Sequence, residues 1–411
     1  MDLVTDPTTL RRARTATSLL FLLFGTALGA WTSRIPGVKS RLDLSDGLLS
    51  LALLAFALGA ITGMTVLGRL ADRYGSTRVM VPMALLEGLL LVPPAYVPDL
   101  AALILALFLF GLVHGTLNIA MNANALEVQR AWGRPIMSSF HAVYSIGGFL
   151  GAAAGGLSAR QGLGAGTTFL SVGAAVVLLA VWAAVWALPT APPAAAPHAD
   201  TPAAEPSGRG VIRSPELWLL GTLAMCALVG EGTAADWSAV YLHEDLGSSP
   251  GFAAVAFAAF SVAMTAGRLL GDRLTARFGP VALVRACGVL ASVGMTAALL
   301  IDRPWAAVVG FACLGAGMSC IAPQVYSAAG QRDPARAGAA LSLVVSLGYV
   351  GFLVGPIVIG GVSTVVGLPV ALGIPALLVF LVALGAPALR PAPRAAPADR
   401  ADRPGLVSGG G

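Results

Sequence analysis

Charge is what this chain has least of. Only 11% of its 411 residues are Asp, Glu, Lys or Arg, and 57% are hydrophobic, whereas soluble domains carry roughly 25% charged residues. Water therefore cannot be its main solvent. Cysteine is scarce too. Cys226, Cys287, Cys313 and Cys320 all fall in apolar runs without metal-ligand spacing, so neither a disulfide framework nor a metal centre is indicated. No ATP site is visible, and no nucleophile and base fall at usable spacing, which argues against an integral-membrane enzyme acting through His114 and Glu87. The net charge of +5 is not gathered into a basic face on a soluble domain, so nucleic acid is not an expected partner.

What the chain has in abundance is long apolar runs. Twelve are countable, at approximately 16–35, 47–67, 79–97, 100–122, 136–157, 167–188, 215–233, 251–270, 281–301, 305–325, 338–360 and 368–389. Each approaches the roughly 20 residues that a helix needs to cross a hydrocarbon core of about 30 Å. Backbone groups find no water in lipid, so runs of this length must be helices; barrel strands would be about half as long and would alternate. Arg11 to Arg14, the apolar stretch after them and the small residues Ala27 to Ala30 resemble a cleaved leader. Removing that stretch would break the repeat described next, so it is expected to be the first span.

GRLADRYGSTR at Gly68 to Arg78 is echoed by GRLLGDRLTARFG at Gly267 to Gly279, and Asp72 and Asp272 lie 200 residues apart. Trp31 answers Trp237, Asp99 answers Asp302 and Ser145 answers Ser346 at nearly the same offset. A fixed long-range period describes architecture. The expected organisation is a six-span half at 1–188, a Pro- and Ala-rich flexible linker at 189–214, a second six-span half at 215–390 and a disordered tail at 391–411. Loops rich in arginine stay on the cytoplasmic side. With both termini inside, only Arg34, Lys39, Arg41, Arg160 and Arg303 of the 25 basic residues face outward. The expected location is thus the plasma membrane, with cytoplasmic termini.

Twelve helices in two sixes, a Pro-rich centre and G-x-L-A-D-R-x-G-x-x-R between the second and third spans resemble the major facilitator superfamily. WTSRIPGVKSRL, NIAMNANALEV, RPIMSSFHAVYSIGG and GTAADWSAVYL are further similar to a poorly characterised bacterial branch related to fucose-type sugar permeases. The resemblance implies an all-α membrane fold of two pseudo-symmetric six-helix bundles that rock about a central site. The fucose-type permeases carry essential acids on the first and fourth helices; the matching positions here fall near Arg34 and at Asn118, so any coupled proton must be carried elsewhere.

The loop signature reads as a latch built from Gly68, Asp72, Arg73, Gly75 and Arg78 and, in the second copy, Asp272 and Arg273, because switches need contacts that break and reform. A topogenic basic loop is the plainer alternative. Gly147, Gly151 and Gly155, with Gly351 and Gly355 in the second half, form ladders suited to close helix crossing. Ionisable groups inside the spans are sharper evidence, since each is costly at mid-membrane without a partner or water. Glu87, Glu231 and Asp236 are the candidate proton carriers. Arg34, His114, Asn118, Asn122, His141, Tyr144 and Trp237 are the candidate substrate contacts, the guanidinium for anionic groups and the amides for hydroxyls. His114, Asn118 and Asn122 recur at i, i+4, i+8 and should present one polar stripe to the cavity. A buried structural histidine, a structural Glu87–arginine pair and solvated Glu231 and Asp236 are the competing explanations, and interfacial belts account equally for Trp31 and Trp237.

The expected function is secondary transport of a small polar organic solute by alternating access, coupled to protons. Its partners would be that solute, the lipid bilayer and protons, with no metal or cofactor, and the chain would act as a monomer. Efflux of an amphipathic compound by proton antiport is the alternative in the same class, and a non-transporting membrane sensor the alternative in another.

Overall fold

The computed structural model describes residues 6–44, 46–67, 69–187, 211, 213–332 and 336–390. Gly68, almost all of the expected linker at 189–214 and the whole expected tail at 391–411 lie outside them. No strand occurs among the described residues. The first half contains α1 (Pro7–Arg41), α2 (Asp46–Thr62) continued by a π turn at Gly63–Leu67, the short α3 (Arg69–Tyr74), α4 (Ser76–Leu90), α5 (Leu100–Trp132), α6 (Met137–Arg160) and α7 (Ala165–Trp186). The second contains α8 (Pro215–Val240), α9 (Pro250–Ile301), α10 (Pro304–Met318), α11 (Ile321–Arg332), α12 (Ala337–Val366), the short α13 (Leu368–Ala371) and α14 (Gly373–Gly385).

Among the described residues eleven helical segments are long and apolar enough to cross a membrane, and one of them is long enough for two crossings. At 52 residues α9 would measure about 78 Å as one rod, more than twice a hydrocarbon core. It breaks at Gly279, whose φ of 77° and ψ of 162° are not helical. Gly75, at φ 91°, makes the equivalent turn between α3 and α4. A β-carbon would strain both turns, which is why each copy of the loop signature carries a glycine there. The second copy holds four more residues between its aspartate and that glycine, one additional helical turn. The result is twelve crossings in two sixes.

Polar side chains at element starts set the helix boundaries. Asp6 accepts from the amides of Thr8 and Thr9 ahead of α1, and Asp99 accepts from Ala102 N at 2.8 Å ahead of α5, each satisfying donors that have no partner inside the helix. Asp302, the repeat partner of Asp99, instead ends α9 in a left-handed conformation, φ 53°. The glycine ladders work as expected. Gly147 and Gly151 of α6 lie against the backbone oxygens of Leu22 and Thr26 on α1, and Gly351 lies against that of Met225 on α8. In lipid, where burial of apolar surface drives nothing, such backbone contact supplies the van der Waals packing. Each half has a buried apolar core, and that of the second also takes in Ala60, Met64, Ile119 and Ala123 of the first.

Candidate functional site

Between the halves lies a cavity of about 330 Å³. The first half contributes Phe21, Phe24 and Trp31 from α1, Phe56 from α2, Asn118 and Asn122 from α5, and His141 and Tyr144 from α6. The second contributes Glu231 from α8, Arg268 from α9, Tyr326 from α11, and Tyr349 and Phe352 from α12. Asn122 donates to both oxygens of Asn118 at 2.8 Å, one turn earlier, and its own Oδ1 is buried without a partner. His141 stands edge-on to Phe21 and 5.8 Å from the ring of Tyr326 across the midline, and its Nε2 is also unpartnered. Arg268 lies 3.9 Å from Glu231 and donates to the Ser145 hydroxyl of the opposite half. The wall is aromatic and apolar, and its few polar groups converge, which is the usual make-up of a small-molecule site.

Arg268 is the residue that the sequence reading missed, since it counted there among loop cations. Its register in the signature also differs from that of its counterpart in the sequence. Arg268 precedes Asp272 by four residues, whereas Arg69 precedes Asp72 by three. A four-residue step keeps Arg268 on the face of Asp272, one turn deeper towards the cavity. It is only 6% exposed.

The other expected site residues divide into three groups. Asn118, Asn122, His141, Tyr144 and Glu231 reach the cavity. Arg34 does not line it. Its guanidinium donates to the carbonyls of Leu163 and Gly155, tying α1 to the far end of α6. Trp237 packs on the apolar core of the second half beside Gly360, and Asp236 is exposed. His114 departs from the stripe it was expected to share with Asn118 and Asn122. It is fully buried, 2.6 Å from the equally buried Glu87, and the ring of Phe24 separates it from the cavity.

At the end of the molecule that carries the basic loops the halves are in contact. Asp72 accepts from the amides of Gly338 and Ala339, both at 2.7 Å, at the start of α12. Asp272 accepts from the amides of Ser138 and Ser139, at 2.8 and 3.0 Å, at the start of α6. Each signature aspartate thus caps the N-terminus of the other half's fifth spanning helix, where a negative charge is favoured. Gln129 supports the second cap, accepting from the amides of Ile136 and Met137 while it donates to Ser327 across the seam. Arg130 donates to the carbonyl of Gly330, and Ser342 to that of Met64. Arg73, Arg78 and Arg273 are exposed on this surface, and Arg73 lies over the ring of Tyr74.

The model for the Major Facilitator Superfamily matches the chain twice, over residues 16–243 and 233–408, once for each half. The chain belongs to this superfamily. It is a multi-pass membrane transporter, and transport rather than catalysis is its activity. An uncharacterised transporter of Sinorhizobium fredii, y4wD, is 34% identical over 83% of this chain and 88% of that protein. An uncharacterised superfamily transporter of Yersinia pestis is 33% identical over 85% of this chain and 88% of its own length. In three dimensions the fold is similar to that of Escherichia coli FucP in the outward conformation, with a TM-score of 0.76 at 17% identity, covering 92% of this chain and 98% of FucP.

Proposed function

We propose that this transporter moves a small hydroxylated or anionic organic solute across the plasma membrane by alternating access, in exchange of energy with the proton gradient. The cavity carries this reading, because both halves build it and a rocking motion would remake it each cycle. Its volume suits a solute of about sugar size. Asn118, Asn122 and Tyr144 offer donors and acceptors to hydroxyls, Arg268 offers a fork to a carboxylate or phosphate, and Glu231 accepts from a hydroxyl between them. Trp31, Phe24 and Tyr349 supply flat faces for the solute's apolar side. FucP, a fucose:proton symporter, supports the choice of class.

Basic loops face the cytoplasm in this reading, so the caps made by Asp72 and Asp272 close the cytoplasmic end and the cavity opens outward. The caps are the latch. Each consists of charge-assisted hydrogen bonds that a rocking motion can break and reform, and neither needs a permanent apolar seam. The apolar wall of Phe21, Phe24, Phe56 and Phe352 favours a second reading, efflux of an amphipathic compound.

The test is a thermal-shift screen of the purified protein against sugars, organic anions and amphipathic drugs, since a bound ligand stabilises by mass action. Any hit is then followed in proteoliposomes that contain a pH-sensitive dye. A sugar or organic anion should raise the melting temperature, Arg268→Ala should abolish that rise, and uptake should change luminal pH. Stabilisation by amphipathic compounds alone would move the assignment to efflux, and pH-silent uptake would replace coupling by facilitated diffusion.

A further inference from the structure

Glu87 on α4 and His114 on α5 meet inside the first bundle with both side chains fully buried. Their shared contact uses one atom of each. Glu87 Oε2 and His114 Nε2 have no hydrogen-bond partner. A pair that served packing alone would have its remaining polar atoms met, because each buried unmet group costs about 1–3 kcal/mol. Two spare atoms on one ion-forming pair are instead what a group needs in order to gain and lose a proton.

The surroundings leave this pair isolated. The residues of α7 include no ionisable group, and α2 has only Asp46, at its first position. On α1, Arg14 and Arg34 lie ten residues to either side of Phe24. On α5, Glu127 and Arg130 follow His114 by more than three turns, and on α4, Arg78 precedes Glu87 by more than two. From the other half, the phenol of Tyr349 on α12 lies within electrostatic reach of Glu87. In such a shell an unpaired carboxylate is too costly, so the pair retains one proton along the contact between Oε1 and Nδ1. A second proton, drawn from cavity water, would turn the neutral pair into a single positive charge, and its release restores the neutral pair.

One side chain stands between the pair and that water. The ring of Phe24 stacks on the imidazole of His114 at 3.8 Å between centroids and 12° between planes, while Phe24 also lines the cavity. Phe56 covers the flank at 5.4 Å. Tyr144, at 5.7 Å from Phe24, completes a surface on which a solute would press directly against the covering ring. The same helix reaches the latch. Ten residues before Phe24, Arg14 donates to the Ser139 hydroxyl at 3.4 Å, at the helix start that Asp272 caps.

We propose that Glu87 and His114 form the proton-binding site that drives the conformational cycle, with Phe24 as the door between this site and the solute cavity. The inference rests on the proton-coupled reading above and names its site. It can be tested without knowing the solute. Spin labels on Ala131→Cys and Ala276→Cys, both exposed at the basic-loop end and in opposite halves, report by pulsed distance measurement in proteoliposomes whether that end is closed or open. One proton per transition shifts the ratio of the two states by up to about tenfold per pH unit.

The wild type should show this shift, and so should Asp236→Asn, which alters an exposed carboxylate away from the cavity. The double variant E87Q/H114Q, which keeps neutral hydrogen-bonding groups at both positions, should show both distances with a ratio independent of pH. Phe24→Ala should speed the approach to the new ratio after a pH jump. A double variant that responds like the wild type, or a wild type with two distances and no pH response, overturns the proton site. An unchanged rate in Phe24→Ala overturns the door. A wild type confined to one distance at every pH would instead defeat the alternating-access reading.

Discussion

The two halves dispose of their intramembrane charge in opposite ways. The first buries a carboxylate and an imidazole 2.6 Å apart inside its own bundle, behind a phenylalanine. The second sets a carboxylate and a guanidinium 3.9 Å apart on the cavity wall, with the Glu231 side chain 29% exposed. The frame, by contrast, is duplicated closely, including the turn glycines Gly75 and Gly279 and the reciprocal caps of Asp72 and Asp272. Duplication has thus preserved the frame while the charged groups have diverged, and under the proposals above one bundle would hold the proton while the other would offer its charges to the solute.

The strongest challenge to this contrast is to remove one member of each pair. Glu87→Ala should cost about 3–5 kcal/mol, because it strands an imidazole in an apolar shell. Glu231→Ala should cost under about 1 kcal/mol, since its pair is long and partly solvated. Equal losses in chemical or thermal unfolding would erase the difference. Arg268→Ala should weaken solute binding about 10- to 100-fold, the worth of a charge-assisted hydrogen bond, with little loss of stability; an unchanged transport constant would remove Arg268 from the site.

Asp72→Asn and Asp272→Asn sharpen the shared part of the comparison. Each should slow transport with normal membrane expression and shift the closed-to-open ratio about tenfold, the effect of about 1–2 kcal/mol at a helix N-terminus. Effects confined to one of them would show that the repeat is mechanically asymmetric. Gly75→Ala and Gly279→Ala should each destabilise by about 1 kcal/mol through the positive φ, with less effect on the cycle than the aspartate changes. Thermal unfolding would reveal whether the two turns are equivalent.

Lipid made most of this architecture legible in advance. A solvent that forbids unpaired backbone groups forces each long apolar run into a helix, so all twelve crossings could be read from composition alone. The signature aspartates were equally visible through their repeat. Their partners were not, because the amides of Ser138, Ser139, Gly338 and Ala339 are backbone groups and carry no letter of their own. Asn118 and Asn122 face the cavity as their spacing suggests, whereas His114, on the same stripe, is drawn aside by Glu87 from another helix. Spacing within one helix cannot reveal a partner on the next. Arg268 was hidden for a simpler reason: it belongs to a loop signature in the sequence, but α9 runs on through that signature and places it on the cavity wall.

The start of α6 has a further implication for speed. Of its first four amides, two rest on Gln129 from the same half and two on Asp272 from the opposite half. Separation of the bundles, as the proposed rocking requires, would withdraw only the second set. The helix therefore keeps half of its terminal acceptors throughout, and arriving water has to replace two bonds instead of four. In the proposed cycle such a cap would surrender its hold in stages, which would keep the barrier to turnover low without loosening the closed state.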